Sequence, residues 1–214
     1  MTPQDPPAPG PEALAIGSVL LRFRGDRRPG EGEALVDLET FGGDGLDGPF
    51  LPAGALLAVQ ALHPLADVDP AERSGWRILA WGPGAGLAGL TARALGAGPV
   101  HVLPGEEEAA LLRRHPGAAG LHIHAGWEEL PRGLAVHRAL QGCGGIEPDL
   151  ETTRTLGRFL RPEGQIVLFG FPAASLEPLL ERLGGASFSL RGAGFRDGLA
   201  WLGGTPLSPR RFLR

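Results

Sequence analysis

At 214 residues the chain suits one domain of ordinary size, with room for a substantial core. A net charge of −4 and a pI near 5.9 leave no basic field for bulk nucleic-acid binding, so DNA is not an expected partner. The single cysteine, Cys143, excludes an internal disulfide framework, and no apolar run approaches the ~20 residues of a membrane span.

In chain order, residues 1–12 read as a disordered Pro-rich tail with no apolar run, which is not a signal peptide. With one thiol and no such peptide, the expected location is the cytoplasm. Ile16–Arg24 and Glu33–Glu39 are strand-like: Val19, Leu21 and Phe23 share one face, as do Ala34, Val36 and Leu38. The Gly- and Pro-rich stretch between them predicts a hairpin with a long loop. After a Gly-rich connector over 41–48, Pro52 opens a predicted helix through Leu62. Trp76–Trp81 is a short apolar strand, followed by Gly82-Pro83-Gly84-Ala85-Gly86 and a helix over Leu87–Leu95. Val100–Leu103 is a strand. Glu106–Arg114 is a helix whose acidic start and basic end suit its dipole. Strands at Leu121–Ala125 and Leu134–Ala139 are joined by a polar link with no clear helix. Leu150–Leu160 is helical and stopped by Pro162, Gln165–Gly170 is a strand, and Ser175–Leu183 is a helix. Ala186–Leu190 and Leu199–Leu202 close the chain as an antiparallel pair, and the basic tail from 208 on reads as solvated.

Strand–helix alternation predicts an α/β fold: a mostly parallel Rossmann-like sheet, a C-terminal antiparallel pair and an N-terminal β-hairpin extension. The expected division is a tail over 1–12, hairpin and Gly-rich loop over 13–50, the main domain over 51–207, and a tail over 208–214. The glycine run after the Ile78–Trp81 strand lets the backbone approach a ligand closely and offers helix N-terminal amides. Counted from Gly82, with Gly84 and Gly86, it has the GxGxG spacing of an S-adenosylmethionine loop. Counted as Gly84-Ala85-Gly86-Leu87-Ala88-Gly89, it is the G-x-G-x-x-G of a dinucleotide site. With 35 glycines in the chain, spacing alone does not choose. Gly82 directly follows the apolar run, which favours the first count.

Further residues carry a family resemblance. Leu160-Arg161-Pro162-Glu163-Gly164 is similar to the turn before the fifth strand of class I S-adenosylmethionine-dependent methyltransferases. Thr40-Phe41-Gly42-Gly43-Asp44-Gly45 resembles a loop of the bacterial ribosomal-protein methyltransferases that modify the large-subunit stalk-base protein. Asp197–Gly204 is similar to that family's last strand, and Gly48–Gly54 resembles the entry to the first helix in related protein-lysine methyltransferases. The resemblance covers roughly residues 33–204. It implies S-adenosylmethionine as cofactor, a protein as substrate, and cofactor contacts at Gly82, Gly84, Gly86, Leu103, Glu106 and Trp127.

The sequence also departs from that pattern. Ala80 stands where the family has an acid before the glycine loop. Leu103 ends the second strand where a carboxylate accepts from both ribose hydroxyls. A hydrogen bond to a charged group contributes about 1.5–3 kcal/mol, so each loss costs roughly ten- to a hundredfold in affinity. Glu106 is the candidate substitute, although Glu106–Glu108 also reads as ordinary helix-start charge. Gly126-Trp127-Glu128-Glu129 occupies the region where the family often has an acid near the adenine, and Trp127 there is a stacking platform or simple packing. Val136–Leu140 offers neither the Asn nor the Asp that orients the acceptor in amine-methylating relatives. Cys143, in a Gly-rich stretch, is not expected to be catalytic. Together these departures point to lost or altered activity. An inactive methyltransferase-fold scaffold that binds a protein partner is therefore the alternative reading, and an NAD-binding oxidoreductase ranks last.

Histidines supply the rival chemistry. His122 and His124 lie two apart on one strand and share a face, with His101 and His137 on neighbouring strands. Such a group suits a divalent ion, but no spaced carboxylate or thiol completes it, so no metal is expected.

Overall fold

The computed structural model describes residues 13–16, 19–22, 28, 30–31, 34–37, 54–184 and 188–206. The Pro-rich start, the loop over 41–48, Pro52 and the basic end from 207 lie outside the described residues, as do Phe23 and Leu38.

Two sheets are present. In the small N-terminal sheet, β1 (Ala13–Ile16) and β2 (Val19–Arg22) form an antiparallel hairpin, and β3 (Ala34–Asp37) runs parallel to β2. The hairpin thus lies one strand earlier than predicted, and the pair expected to be antiparallel is parallel. Alternation reports faces correctly here: Leu21 and Val36 are buried and Leu35 is exposed. It carries no information about strand direction, so it fits a parallel β3 as well as a hairpin.

The main sheet has seven strands: β4 (Ile78–Trp81), β5 (Val100–Leu103), β6 (Leu121–Ile123), β7 (Val136–Gly142), β8 (Leu160–Pro172), β9 (Phe188–Arg196) and β10 (Leu199–Pro206). Their order is β6-β5-β4-β7-β8-β10-β9. β4 to β8 are parallel, and β10 is antiparallel to both neighbours. Asp197-Gly198, both at positive φ, make the two-residue turn between β9 and β10.

Helices cover both faces. α1 (Ala55–Ala61), α2 (His63–Ala66), α3 (Pro70–Arg73), α4 (Ala85–Ala94) and α5 (Glu106–Leu112) precede α6 (Leu150–Arg158) and α7 (Leu176–Gly184). One apolar cluster joins Leu57, Leu87, Leu90 and Leu112 to Ile78, Val100 and Val102. The other joins Leu156 and Leu179 to Leu79, Leu103, Ile166 and Phe171. α4 is buried from Ala85 through Ala92, and a Cβ on Gly89 would lie 2.5 Å from Val102 Cγ1. Its Ala/Gly composition permits that close seat on β5. α6 is amphipathic and starts at Asp149, whose carboxylate accepts from the Glu151 and Thr152 amides, each at 3.1 Å. The link between β6 and β7 holds only a 3-10 turn at Trp127–Glu129, as its polar sequence predicted.

Two strands outrun their predicted ends. β7 continues to Gly142, three residues past Ala139. β8 begins at Leu160 and passes through Pro162, which was read as a stop. The partner of β7 shifts from Leu160 at Val136 to Gln165 at Arg138, so residues 161–164 bulge out, with Glu163 at φ +68. A bulge asks no ladder hydrogen bond of proline, which is why the strand survives it.

Candidate functional site

From β4 the chain proceeds outward through β5 and β6 on one side and through β7 and β8 on the other. The crevice at such a reversal, beyond the carboxyl ends of the strands, is where open α/β sheets take ligands. A cleft of about 660 Å³ lies there, lined by Trp81, Gly82, Pro83, Leu103, Pro104, Gly105 and Glu106 to Glu108. That volume falls within the usual range for a small-molecule site.

The glycine loop is held by its neighbours rather than by its own side chains. Gly82 has φ +84, and a Cβ there would lie 2.6 Å from Gly142 O. Gly142 in turn leaves no room for a side chain against Pro83 O. The ends of β4 and β7 therefore touch backbone to backbone. Gly84, the N-cap of α4, provides no side-chain cap. Glu108 of α5 does the capping instead: its Oε1 accepts from the Gly86 amide at 2.7 Å, and it is only 4% exposed. Burial pushes its carboxyl up to about 7, against the pull of hydrogen bonds from the Gly86, Gly84 and Leu87 amides. The sequence presents Glu108 as ordinary helix-start charge of α5, whereas the structure turns it inward to α4. Its i, i+4 pairing with buried Leu112 was the available sign of an inward face.

The predicted cofactor residues divide by position. Gly82, Leu103 and Glu106 line the cleft, whereas Gly84 packs against Ala55 and Phe169, and Gly86 faces Glu108. Trp127 does not line it. Its ring stacks on Trp81 and on Phe159, each at 6.0 Å between centroids, which is the packing alternative. Trp81, not singled out before, is the aromatic on the cleft wall.

Val136–Leu140 holds neither Asn nor Asp, but β7 runs on past it and carries an amide at its carboxyl end, Gln141, 1% exposed. Its Oε1 accepts from Thr153 Oγ1 at 2.7 Å, and its Nε2 donates to Asp149 O at 3.2 Å. Both ends of the amide are thereby committed to internal bonds. Next to it Cys143 is buried, and its thiol is pushed up to about 12 by that burial, which suits an inert group.

The four histidines do not form one group. His101, His122 and His124 stack, with centroids 4.7 and 5.2 Å from His101, and His101 Nδ1 meets His124 Nε2 at 3.0 Å. Stacked rings aim their lone pairs along parallel planes rather than at one point, and no metal-holding cluster occurs among the described residues. Burial, then His122 and His124, drops His101 to about 4. His137 sits apart on β7, stacked on Trp76.

No family model matches the chain, and no curated protein does. Solved structures do. The ribosomal protein L11 methylase of Lactobacillus delbrueckii subsp. bulgaricus superposes with a TM-score of 0.62 at 13% identity, over 91% of this chain and 98% of that one. The precorrin-6y C5,15-methyltransferase of Geobacter metallireducens gives 0.52 at 16% identity, over 71% and 86%. The fold is that of class I methyltransferases. Within the methyltransferase fold the cleft falls where the glycine loop predicts, while the acid expected at the end of β5 is replaced by Leu103. No helix among the described residues is long and apolar enough to cross a membrane.

Proposed function

We propose that this chain binds S-adenosylmethionine in the cleft beside Trp81 and Leu103, and that it is a methyltransferase-like protein whose acceptor is another protein. The charge of the cleft carries the reading. Glu106 and Glu107 are exposed carboxylates in its lining, Glu108 is buried beside them, and no Arg lines it among the described residues. A sulfonium and an ammonium outweigh one carboxylate in S-adenosylmethionine, so the ligand is a net cation and matches those walls. A dinucleotide brings a pyrophosphate that requires the helix N-terminal amides, and Glu108 holds the first-turn amide of α4. That contact adds to the case against the oxidoreductase reading, which also lacks an acid near Leu103.

When bound, the cofactor supplies an activated methyl group on sulfur. The chain's part is placement. Gly82 keeps the loop against β7, Trp81 and Leu103 give apolar walls, and Glu106 stands in for the missing carboxylate toward the ribose hydroxyls. Methyl transfer needs mainly positioning, so few catalytic side chains are obligatory. The protein acceptor follows the likeness to the L11 methylase, which spans 91% of the chain. A second reading, a scaffold that has lost transfer, is favoured by Leu103 and by the internally bonded Gln141 amide.

Calorimetric titration with S-adenosylmethionine and S-adenosylhomocysteine tests the proposal. Micromolar binding is expected, weakened about tenfold in Glu106→Gln. No heat at millimolar ligand would overturn it. Binding without methyl transfer to any protein acceptor would select the scaffold.

A further inference from the structure

A second pocket lies at the opposite edge of the sheet, at the amino ends of β4, β7 and β8. It encloses about 100 Å³ and is lined among others by Trp76, His137, Arg138, Arg161 and Glu163. Its donors lack acceptors. Arg138 is 4% exposed; its Nη1 donates to Ala61 O at 3.3 Å, and its Nε makes no hydrogen bond. The guanidinium stacks 5.3 Å over Trp76, and no carboxylate among the described residues pairs with it. Buried cations are ordinarily paired, and buried donors ordinarily bonded.

His137 adds a second mismatch. The Arg77 backbone N–H, which can only donate, points at His137 Nδ1 at 2.9 Å. Nδ1 is thus the acceptor, and in the neutral ring the proton sits on Nε2. That Nε2 contacts Arg161 Nη1, which is also a donor. Burial, with Arg161 and Arg77 nearby, holds His137 below its ordinary range against the opposing pull of Glu72, so the ring is neutral near pH 7. Two N–H groups therefore face each other beside a buried, unpaired guanidinium. The β8 bulge brings Arg161 to this position, as bulges do when they re-aim a side chain.

We propose that this pocket binds a phosphoryl oxyanion, either inorganic phosphate or the phosphate of a small phosphorylated molecule. An oxygen that parts His137 Nε2 from Arg161 Nη1 and bridges them would accept from both, and the negative charge would pair Arg138. Donors arriving from β7 and from the β8 bulge suit a tetrahedral group with several acceptor oxygens better than a flat carboxylate. The space equals that of roughly three waters, enough for the anion and too small for a nucleoside. Glu163 at the rim is the one opposing charge in the lining.

Thermal unfolding of the full chain, at constant ionic strength, tests the site. Inorganic phosphate should raise Tm saturably, where equal ionic strength of chloride does not. The response should be lost in Arg161→Gln, an exposed position that spares the fold, and in Arg138→Met. A larger response to glycerol 3-phosphate than to phosphate identifies a small phosphorylated molecule as the source, and an equal one identifies free phosphate. Identical curves in phosphate and chloride, or a full response in Arg161→Gln, would overturn the proposal. If Arg138→Met does not fold, Arg161→Gln still decides.

Discussion

Leu103 is 5% exposed, belongs to the apolar cluster of Leu79 and Leu130, and lines the cleft at the end of β5. A carboxylate there would reach the cleft at the cost of leaving that cluster. Leu103→Asp is expected to tighten S-adenosylmethionine by about tenfold, the worth of one charged hydrogen bond, if the ribose lies at this strand end. The same change should lower stability by roughly 1–3 kcal/mol, because an apolar contact becomes a desolvated acid. Titration calorimetry and urea unfolding read the two effects separately. Unchanged affinity would place the ribose elsewhere and remove the role assigned to Glu106 as well. Glu108 needs a different treatment, since it touches backbone amides and not the open cleft. It is a cap supplied by one helix to another, and its replacement acts first on stability.

At the scale of elements, the contact between the glycine loop and β7 decides whether the cleft exists. A Cβ on Gly142 would overlap Pro83 O, and neither backbone segment has slack, because Cys143 N donates to Phe169 O at 2.9 Å and Gly82 N to Leu103 O at 3.1 Å. Gly142→Ala should therefore cost about 2 kcal/mol or more and abolish cofactor binding together with it. Urea unfolding and calorimetry check both; normal stability with normal binding would show that the loop can retreat. This contact is invisible in the sequence, where the predicted strand stops at Ala139, short of polar Gln141 and of Gly142 itself. The helices and parallel strands were legible because their periodicities differ and glycines separate them. What failed was what periodicity does not encode: the direction of β3, the bulge that carries β8 through Pro162, and which of three successive glutamates turns inward. The short α2 and α3 also escaped, being single turns with no repeating pattern. In the cleft, Gly82, Leu103 and Glu106 were legible from spacing relative to strand ends. Trp81 and Glu108 were not, since each had a sufficient local explanation.

Over the whole molecule, buried titratable groups of opposite kind set the response to pH. Glu108 is raised from 4.5 to about 7, so between those values the folded chain keeps a proton that the unfolded chain has released. Its contribution is present at low pH and is lost as pH rises through that window, by roughly 3 kcal/mol in all. His101 is lowered from 6.5 to about 4, and His124 and His137 are lowered too. For these the unfolded chain binds protons that the folded chain refuses, so their contribution is present above the ordinary histidine range and is lost on acidification. The two slopes oppose each other across the region where the windows overlap. Glu108 and His101 nearly offset each other through the overlap, and the lowered His124 and His137 leave unfolding free energies, measured in urea from about pH 4 to pH 8, rising modestly with pH. Glu108→Gln keeps an acceptor for the Gly86 amide but removes the titration, so its stability should fall steadily on acidification. His101→Phe keeps a ring in the stack, and its stability should instead rise less with pH than the parent's. If both variants ran parallel to the parent curve, each group would titrate alike in the folded and the unfolded chain, and neither shift would exist. If only Glu108→Gln changed slope, the histidine stack would be open enough to water to titrate as it does in the unfolded chain.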